Sequence, residues 1–181
     1  MATAPILFAE RQRFTQLLIW GLLLAVDLLF VIGCIQQLIY DKPFGTKPAP
    51  DAVLIILTAM VFGLTYLFIS MELTIILTET GITYQFSPFH RQPRQIPWDE
   101  VSVCYLRTYA PIREYGGWGP RTYLGNKAYT MSGTYGLQLK LINGEFILLG
   151  TNRPVQLRHT LEELSQELAC IRFPEQSQKH G

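Results

Sequence analysis

Two features of the sequence could do chemistry. One is Asp27, an acid inside the apolar run LLIWGLLLAVDLLFVIGCIQQLI, residues 17–39. The other is REYGGWGPRTYLGNKAYTMSG, residues 113–133, which gathers five glycines, three tyrosines, one tryptophan and three basic residues. Near the middle of a bilayer an acid costs ~2.5–3.5 kcal/mol on insertion scales, so Asp27 calls for a partner. Thr58, Thr65 and Tyr66 lie at similar depth on a second apolar run. Two readings of Asp27 stay open. It is a proton or ion site, or it is one half of an interhelical or intersubunit hydrogen bond.

The glycine-rich stretch has a composition that could cradle phosphate, but its spacing fits no phosphate loop. GGWG lacks the G-x-G-x-x-G pattern, and no G-K-[ST] follows it. Ser132 has no G-x-S-x-G elbow before it. Three uses remain for the segment. It supplies bulges and aromatic cross-strand packing for a small β domain. Or Trp118, Tyr115 and Tyr123 sit at headgroup level while Arg113, Arg121 and Lys127 face lipid phosphates. Or it forms a lip for a protein or peptide. The candidate ligand-binding residues are therefore Arg113, Tyr115, Trp118, Arg121 and Lys127. Arg113, Arg121 and Lys127 against Glu114 give a net +2, which is no polybasic cluster and disfavours a high-affinity phosphoinositide site. Glu114 is expected to pair with a neighbouring arginine.

No set of nucleophile, base and acid accompanies these residues. His90, His159 and His180 are scattered, and Cys34, Cys104 and Cys170 lack metal-ligand or disulfide-framework spacing. The expectation is a protein without catalytic residues, metal or cofactor. A net charge of +1 excludes the strong basic field of a nucleic-acid binder.

The elements that must position these residues begin with the apolar runs. At ~1.5 Å per residue, residues 17–39 reach ~35 Å and the uncharged residues 52–70 reach ~28 Å, against a hydrocarbon core of ~30 Å. Two such runs in 181 residues read as a transmembrane hairpin. VIGC, ending at Cys34, resembles a lipoprotein cleavage box, but Asp27 interrupts the apolar stretch before it. The connection YDKPFGTKPAPD, residues 40–51, reads as a plain extramembrane turn. Arg11 and Arg13 balance Lys42 and Lys47, so positive-inside counting is tied. Free thiols and the basic residues after the second run favour both ends in the cytoplasm. Gly21/Ala25 and Ala59/Gly63 are small-x-x-x-small pairs that permit close helix packing.

After Ser70 the chain turns β-rich almost without a linker, which would hold the domain close to the membrane. LTIIL, TETG and ITYQF read as strand, turn and strand. VSVCYLRTY alternates, with Val101, Val103, Tyr105 and Arg107 on one face. GLQLKL and EFILLG form a hairpin around Asn143-Gly144, a type I′ signal. TNRP then opens a helix, with Thr151 or Asn152 as cap and an apolar stripe at Leu157, Leu161, Leu164, Leu168 and Ile171.

RQIPWDEVSV, followed by GLQLKLINGEFILLGTNRPVQLRHTLEELSQEL, resembles the bacterial pleckstrin-homology-like (PH-like) domains found behind short membrane hairpins. The shared order is a tight first hairpin, an I-P-(W/L)-x-x-V strand entry, a late hairpin turning at glycine, and a C-terminal helix. EYGGWG and AYxxSGxxGLQL are also similar to bacterial two-helix membrane proteins of this type. The resemblance covers roughly residues 72–171. It implies a half-open seven-stranded barrel capped by a C-terminal α-helix, in a multi-pass protein of the bacterial inner membrane, and no catalytic residue. The expected organisation is a hairpin over 1–71 with helices about 15–40 and 52–70, a PH-like domain over 72–173 with its helix about 154–171, and a flexible tail over 174–181. The expected partners are the lipid bilayer, a second copy in a homo-oligomer, or another membrane protein. The competing expectation is a subunit or regulator of an ion- or proton-related membrane complex that uses Asp27.

Overall fold

A computed structural model describes residues 5–123 and 126–173; the expected tail over 174–181 lies outside them. The chain divides into two compact units, one of Thr15–Ser70 and the other of the residues up to Phe14 with those from Met71 onward. The expected boundary at residue 71 therefore needs a correction at the N-terminus. Residues 6–13 are a strand of the β unit, not a flank of the hairpin.

In the smaller unit, α1 (Leu17–Cys34) continues through a π-helical turn over Ile35–Ile39, and α2 is Asp51–Ser70. Both helices are long and apolar enough to cross a membrane. Most of their leucines and isoleucines face outward, among them Leu17, Leu18, Leu22, Ile56 and Ile69, each more than half exposed. The inward positions are few: Leu23, Asp27 and Gly33 on α1, Leu54 and Thr65 on α2. Thr65 Oγ1 donates to Asp27 Oδ2 at 2.9 Å, so one of the three expected partners closes the pair. Thr58 instead meets Cys34 Sγ at 3.1 Å, and Tyr66 is exposed. A Cβ built on Gly21 or Gly63 would meet nothing within 4 Å, so the small pairs do not make the contact between these helices.

The connection is more than a plain turn. Gln37 Nε2 donates to Ala49 O at 2.8 Å and Asp51 Oδ1 at 2.7 Å, and Gln37 Oε1 accepts from Phe44 N–H at 3.3 Å. The Phe44 ring lies so close to Gly33 that a Cβ there would come within 2.9 Å of it. Interhelical hydrogen bonds inside membranes contribute on the order of 1 kcal/mol. Replacing Thr65 by valine keeps the shape and removes the donor, so hairpin stability in detergent should fall by on the order of 1 kcal/mol. An unchanged thermal midpoint for that variant would show that the Asp27–Thr65 bond contributes nothing.

The larger unit holds two sheets. β1 (Ile6–Arg13), β2 (Glu72–Thr78), β3 (Gly81–Ser87) and β4 (Arg94–Pro97) form an antiparallel sheet in chain order. β5 (Val101–Thr108), β6 (Gly119–Tyr123), β7 (Asn126–Thr130), β8 (Tyr135–Leu141) and β9 (Phe146–Thr151) form the second, in the order β5-β8-β9-β7-β6. β7 and β9 run parallel; the other neighbours are antiparallel. α3 (Pro111–Tyr115) follows β5, and α4 (Pro154–Leu164) follows β9. These nine described strands do not close into a barrel and exceed the expected seven.

Alternation explains the inner faces. Leu73, Ile75 and Leu77 of β2 and Ile82, Tyr84 and Phe86 of β3 are almost wholly buried. Tyr84, Phe86 and His90 meet Tyr129 of β7 at ring distances of 5.2, 6.0 and 4.9 Å, which joins the two sheets. β1 adds a polar seam. Gln12 Nε2 donates to Gly150 O at 2.7 Å, while Glu10 accepts from Thr151 Oγ1 at 2.6 Å and Asn152 N–H at 2.8 Å. α4 buries Leu157, Leu161 and Leu164 as the stripe requires. It ends at Leu164, short of the expected 171, and Ile171 instead bridges β5 at Cys104. The residue before the helix is Arg153, whose N–H donates to Thr151 Oγ1 at 3.0 Å, so neither expected cap takes the N-cap position itself.

The β8–β9 hairpin forms where expected, with a different turn. Gly144 has φ of 85°, but Asn143 is not in the positive-φ region that a type I′ turn demands. Gly144 N–H donates to Leu141 O at 3.0 Å and Leu141 N–H to Glu145 O at 2.8 Å, the pattern of a turn followed by a left-handed glycine.

His90 gives this core a pH response. Phe86 N–H donates to His90 Nδ1 at 3.2 Å, which requires that nitrogen unprotonated. Burial, then the positive charges of Arg94 and Lys127, pull the imidazole below its ordinary 6.5. The unfolded chain thus takes up this proton first, and stability falls as pH drops below 6.5 toward the folded value. Thermal midpoints of wild type should decline between neutral and mildly acid pH. His90→Asn, which keeps an acceptor and cannot titrate, should flatten that decline; an unaltered slope would remove His90 as its source.

Candidate functional site

The outer face of the five-stranded sheet carries the site. Register places Tyr105 and Arg107 of β5 beside Gln138 and Gly136 of β8, with Leu148 of β9 next to Ala128 of β7 on the same face. A bulge between Val101 and Val103 turns Val101 to the opposite, buried face, so the alternation expected from residue 101 holds only from Val103 onward. Tyr109 packs on Ala128 and Leu148, and Tyr115 packs on that cluster. The two tyrosine rings meet edge to face at 6.1 Å. α3 therefore lies across the upper part of the face. It is short because Pro111 starts it and Gly116, at φ of 69°, ends it in the left-handed conformation that glycine adopts without penalty.

Arg107 fastens α3 to the sheet. Its Nε donates to Gln138 Oε1 at 3.0 Å, its Nη1 to Glu114 Oε2 at 2.8 Å, and its Nη2 to Tyr115 OH at 3.0 Å. The other Glu114 oxygen accepts from Ala110 N–H at 2.8 Å. Burial alone would raise the Glu114 carboxyl; the bonds from Ala110 and Arg107 outweigh it and hold the group below its ordinary value. Burial raises the Tyr115 hydroxyl. Gln138 is itself buried, and its amide donates to Ile147 O at 3.2 Å, so the guanidinium rests on a fixed acceptor.

Below α3 the face opens into a cleft of about 530 Å³, reached by Tyr105, Asn126, Lys127 and Phe146 as well as by the Arg107 group. Lys127 Nζ is paired with Glu145, and Lys140 Nζ stands 5.6 Å from the centre of the Phe146 ring. Both ion pairs remain partly exposed, with the Arg107 and Lys127 side chains at 24% and 28%. The arrangement can hold a polar ligand against aromatic surface. Among the described residues no group of histidine, cysteine and carboxylate side chains is placed to hold a metal.

Of the five residues singled out by sequence, Tyr115 and Lys127 meet at this cleft. Trp118 is half-buried and its Nε1 donates to Gly133 O at 3.1 Å, away from the lining. Arg113 and Arg121 are exposed, and the side chain of Tyr123 lies outside the described residues. The expected pairing of Glu114 with an arginine occurs, with Arg107 as the partner. Sequence reading did not single out Arg107, Tyr105, Gln138, Asn126 or Phe146. The alternation of β5 had already put Tyr105 and Arg107 on one face, which was the available signal.

Fold and site define a protein with two apolar helices of membrane-spanning length and a two-sheet β unit with a mixed-charge cleft. No protein-family model matches the chain, and no curated protein matches it.

Proposed function

We propose that the chain is a non-enzymatic two-span protein of the bacterial inner membrane whose β unit is a PH-like binding module facing the cytoplasm. The cleft under α3 is its binding site, and its occupant is a lipid headgroup, a protein partner or a second copy. The convergence of Arg107, Lys127, Tyr105 and Tyr115 on one open cleft supports this reading above any other observation. Clefts lined by aromatic rings with a few fixed polar groups are the usual form of a binding site. A photo-crosslinking residue at Tyr105, in the full chain in native membranes, is expected to capture an occupant, while one at exposed Val155 serves as control. Equal yields at the two positions would sink the cleft as the binding site.

A second reading, a subunit or regulator of an ion- or proton-related complex, has one observation in its favour. Asp27 Oδ1 is buried and has no hydrogen-bond partner among the described residues. Asp27→Asn keeps the bond from Thr65 and removes the acid, so a change in complex behaviour with unchanged Tyr105 crosslinking would support this reading.

A further inference from the structure

We infer that the cleft takes a zwitterionic group carrying a phosphate and an ammonium, as in a phosphoethanolamine moiety. The inference rests on the cleft being the binding site and adds the chemistry of what enters it. The charges around the cleft include two opposite pairs, Arg107 with Glu114 and Lys127 with Glu145. Lys140, over the ring of Phe146, adds a third cation, so both signs line the cleft with a net charge of only +1. A polyanion would be drawn to the cations and repelled by both carboxylates at similar range. An uncharged apolar molecule would cover four charged groups and strand them without water, which is costly. A zwitterion gives each set its opposite.

The lining has donors to spare for the anionic end. Arg107 has five N–H donors and directs four bonds, to Gln138, Glu114, Tyr115 and Thr108. Lys127 has three and directs one bond, to Glu145, among the described residues. The exposed Asn126 amide stands at the same rim. The cationic end has Glu114 and the rings of Tyr105 and Tyr115, while the Phe146 ring already carries the Lys140 ammonium at 5.6 Å, the range of a cation–π contact.

Calorimetric titration of the full chain in uncharged detergent micelles tests this. Glycerophosphoethanolamine is expected to bind at least about tenfold more tightly than inorganic phosphate or ethanolamine alone. Lys127→Ala should reduce that advantage by about tenfold, and Asn126→Asp, which sets a third carboxylate at the rim, should do the same without touching the α3 contacts. A dihexanoyl phosphatidylethanolamine that binds more tightly than the glycerol form places the source among lipids; equal affinity places it among soluble phosphoammonium compounds. Either result carries the inference. Inorganic phosphate binding as tightly as the zwitterion overturns it, as does an advantage that both variants leave intact. Failure of all three soluble probes while Tyr105 still crosslinks overturns the ligand class alone. Failure of the probes together with loss of Tyr105-specific crosslinking overturns the cleft as well.

Discussion

Replacing Glu10 by alanine is expected to cost about 2–4 kcal/mol of folding stability, because a buried acceptor of two hydrogen bonds disappears and leaves its donors unpaired. Glu10 is 4% exposed and accepts from Thr151 Oγ1 and Asn152 N–H at 2.6 and 2.8 Å. Both donors sit immediately before α4, which has no acid of its own in its first turn. β1 thus supplies from a distant part of the sequence the negative group that a helix start favours. Glu10→Gln separates the contributions. Its carbonyl oxygen can still accept one bond, while its NH2 faces the other donor, so it should lose less than the alanine variant. Thermal unfolding of the full chain in detergent gives the order wild type, glutamine, alanine. Hydrogen exchange should locate the loss at Asn152 and the first turn of α4. Equal stability of wild type and Glu10→Ala would remove the seam as a stabilising feature.

That seam also shows where sequence reading stops. The hydrophobic stripe of α4, the paired runs of β8 and β9, and the two apolar helices announce themselves because each buries apolar side chains at its own period. β1 does not. Its inward residues are Phe8, Glu10 and Gln12, so the buried face is mostly polar and the alternation is masked. Arg11 and Arg13 count equally well as a flank of a membrane helix. The structure instead pairs both with Glu72 of the neighbouring strand, at 2.5 and 3.0 Å. The cleft escaped for another reason. Its lining comes from β5, α3, β7, β8 and β9, and residues 107 and 138 become neighbours only after β8 has been inserted beside β5. The glycine-rich stretch drew attention by composition, yet much of it went into local structure: a helix end at Gly116, two strands, and a turn held by Trp118 and Gly133.

Arg107→Met is expected to have the largest functional effect of any single change in the β unit. Methionine keeps an unbranched apolar side chain and removes every N–H. Gln138 Oε1, Glu114 Oε2 and Tyr115 OH each lose a donor, with an expected stability loss of about 1–3 kcal/mol. The two charged side chains are 24% and 32% exposed, so solvent replaces part of what is lost and the lower half of that range is favoured. α3 should detach from the sheet, with faster hydrogen exchange at Glu114, Gly116 and Gly117, whose N–H groups close the short helix. Crosslinking from Tyr105 should fall with it. Arg107→Lys retains the charge but cannot direct the fork toward Gln138 and Glu114 at once, so it should rescue poorly. Arg113→Ala and Arg121→Ala, at exposed positions without a hydrogen bond among the described residues, should stay within about 0.5 kcal/mol of wild type. Acid should imitate Arg107→Met. The Glu114 carboxyl is held below its ordinary 4.5, so its contribution is complete above that value and is lost as pH falls through the lower folded value. Wild-type exchange at α3 should therefore accelerate in that acid window, while the Arg107→Met protein, already detached, should show little further change. If α3 exchange in Arg107→Met matches wild type at neutral pH, the guanidinium does not hold the helix, and the lining of the cleft must be fixed by the Tyr109–Tyr115 packing alone.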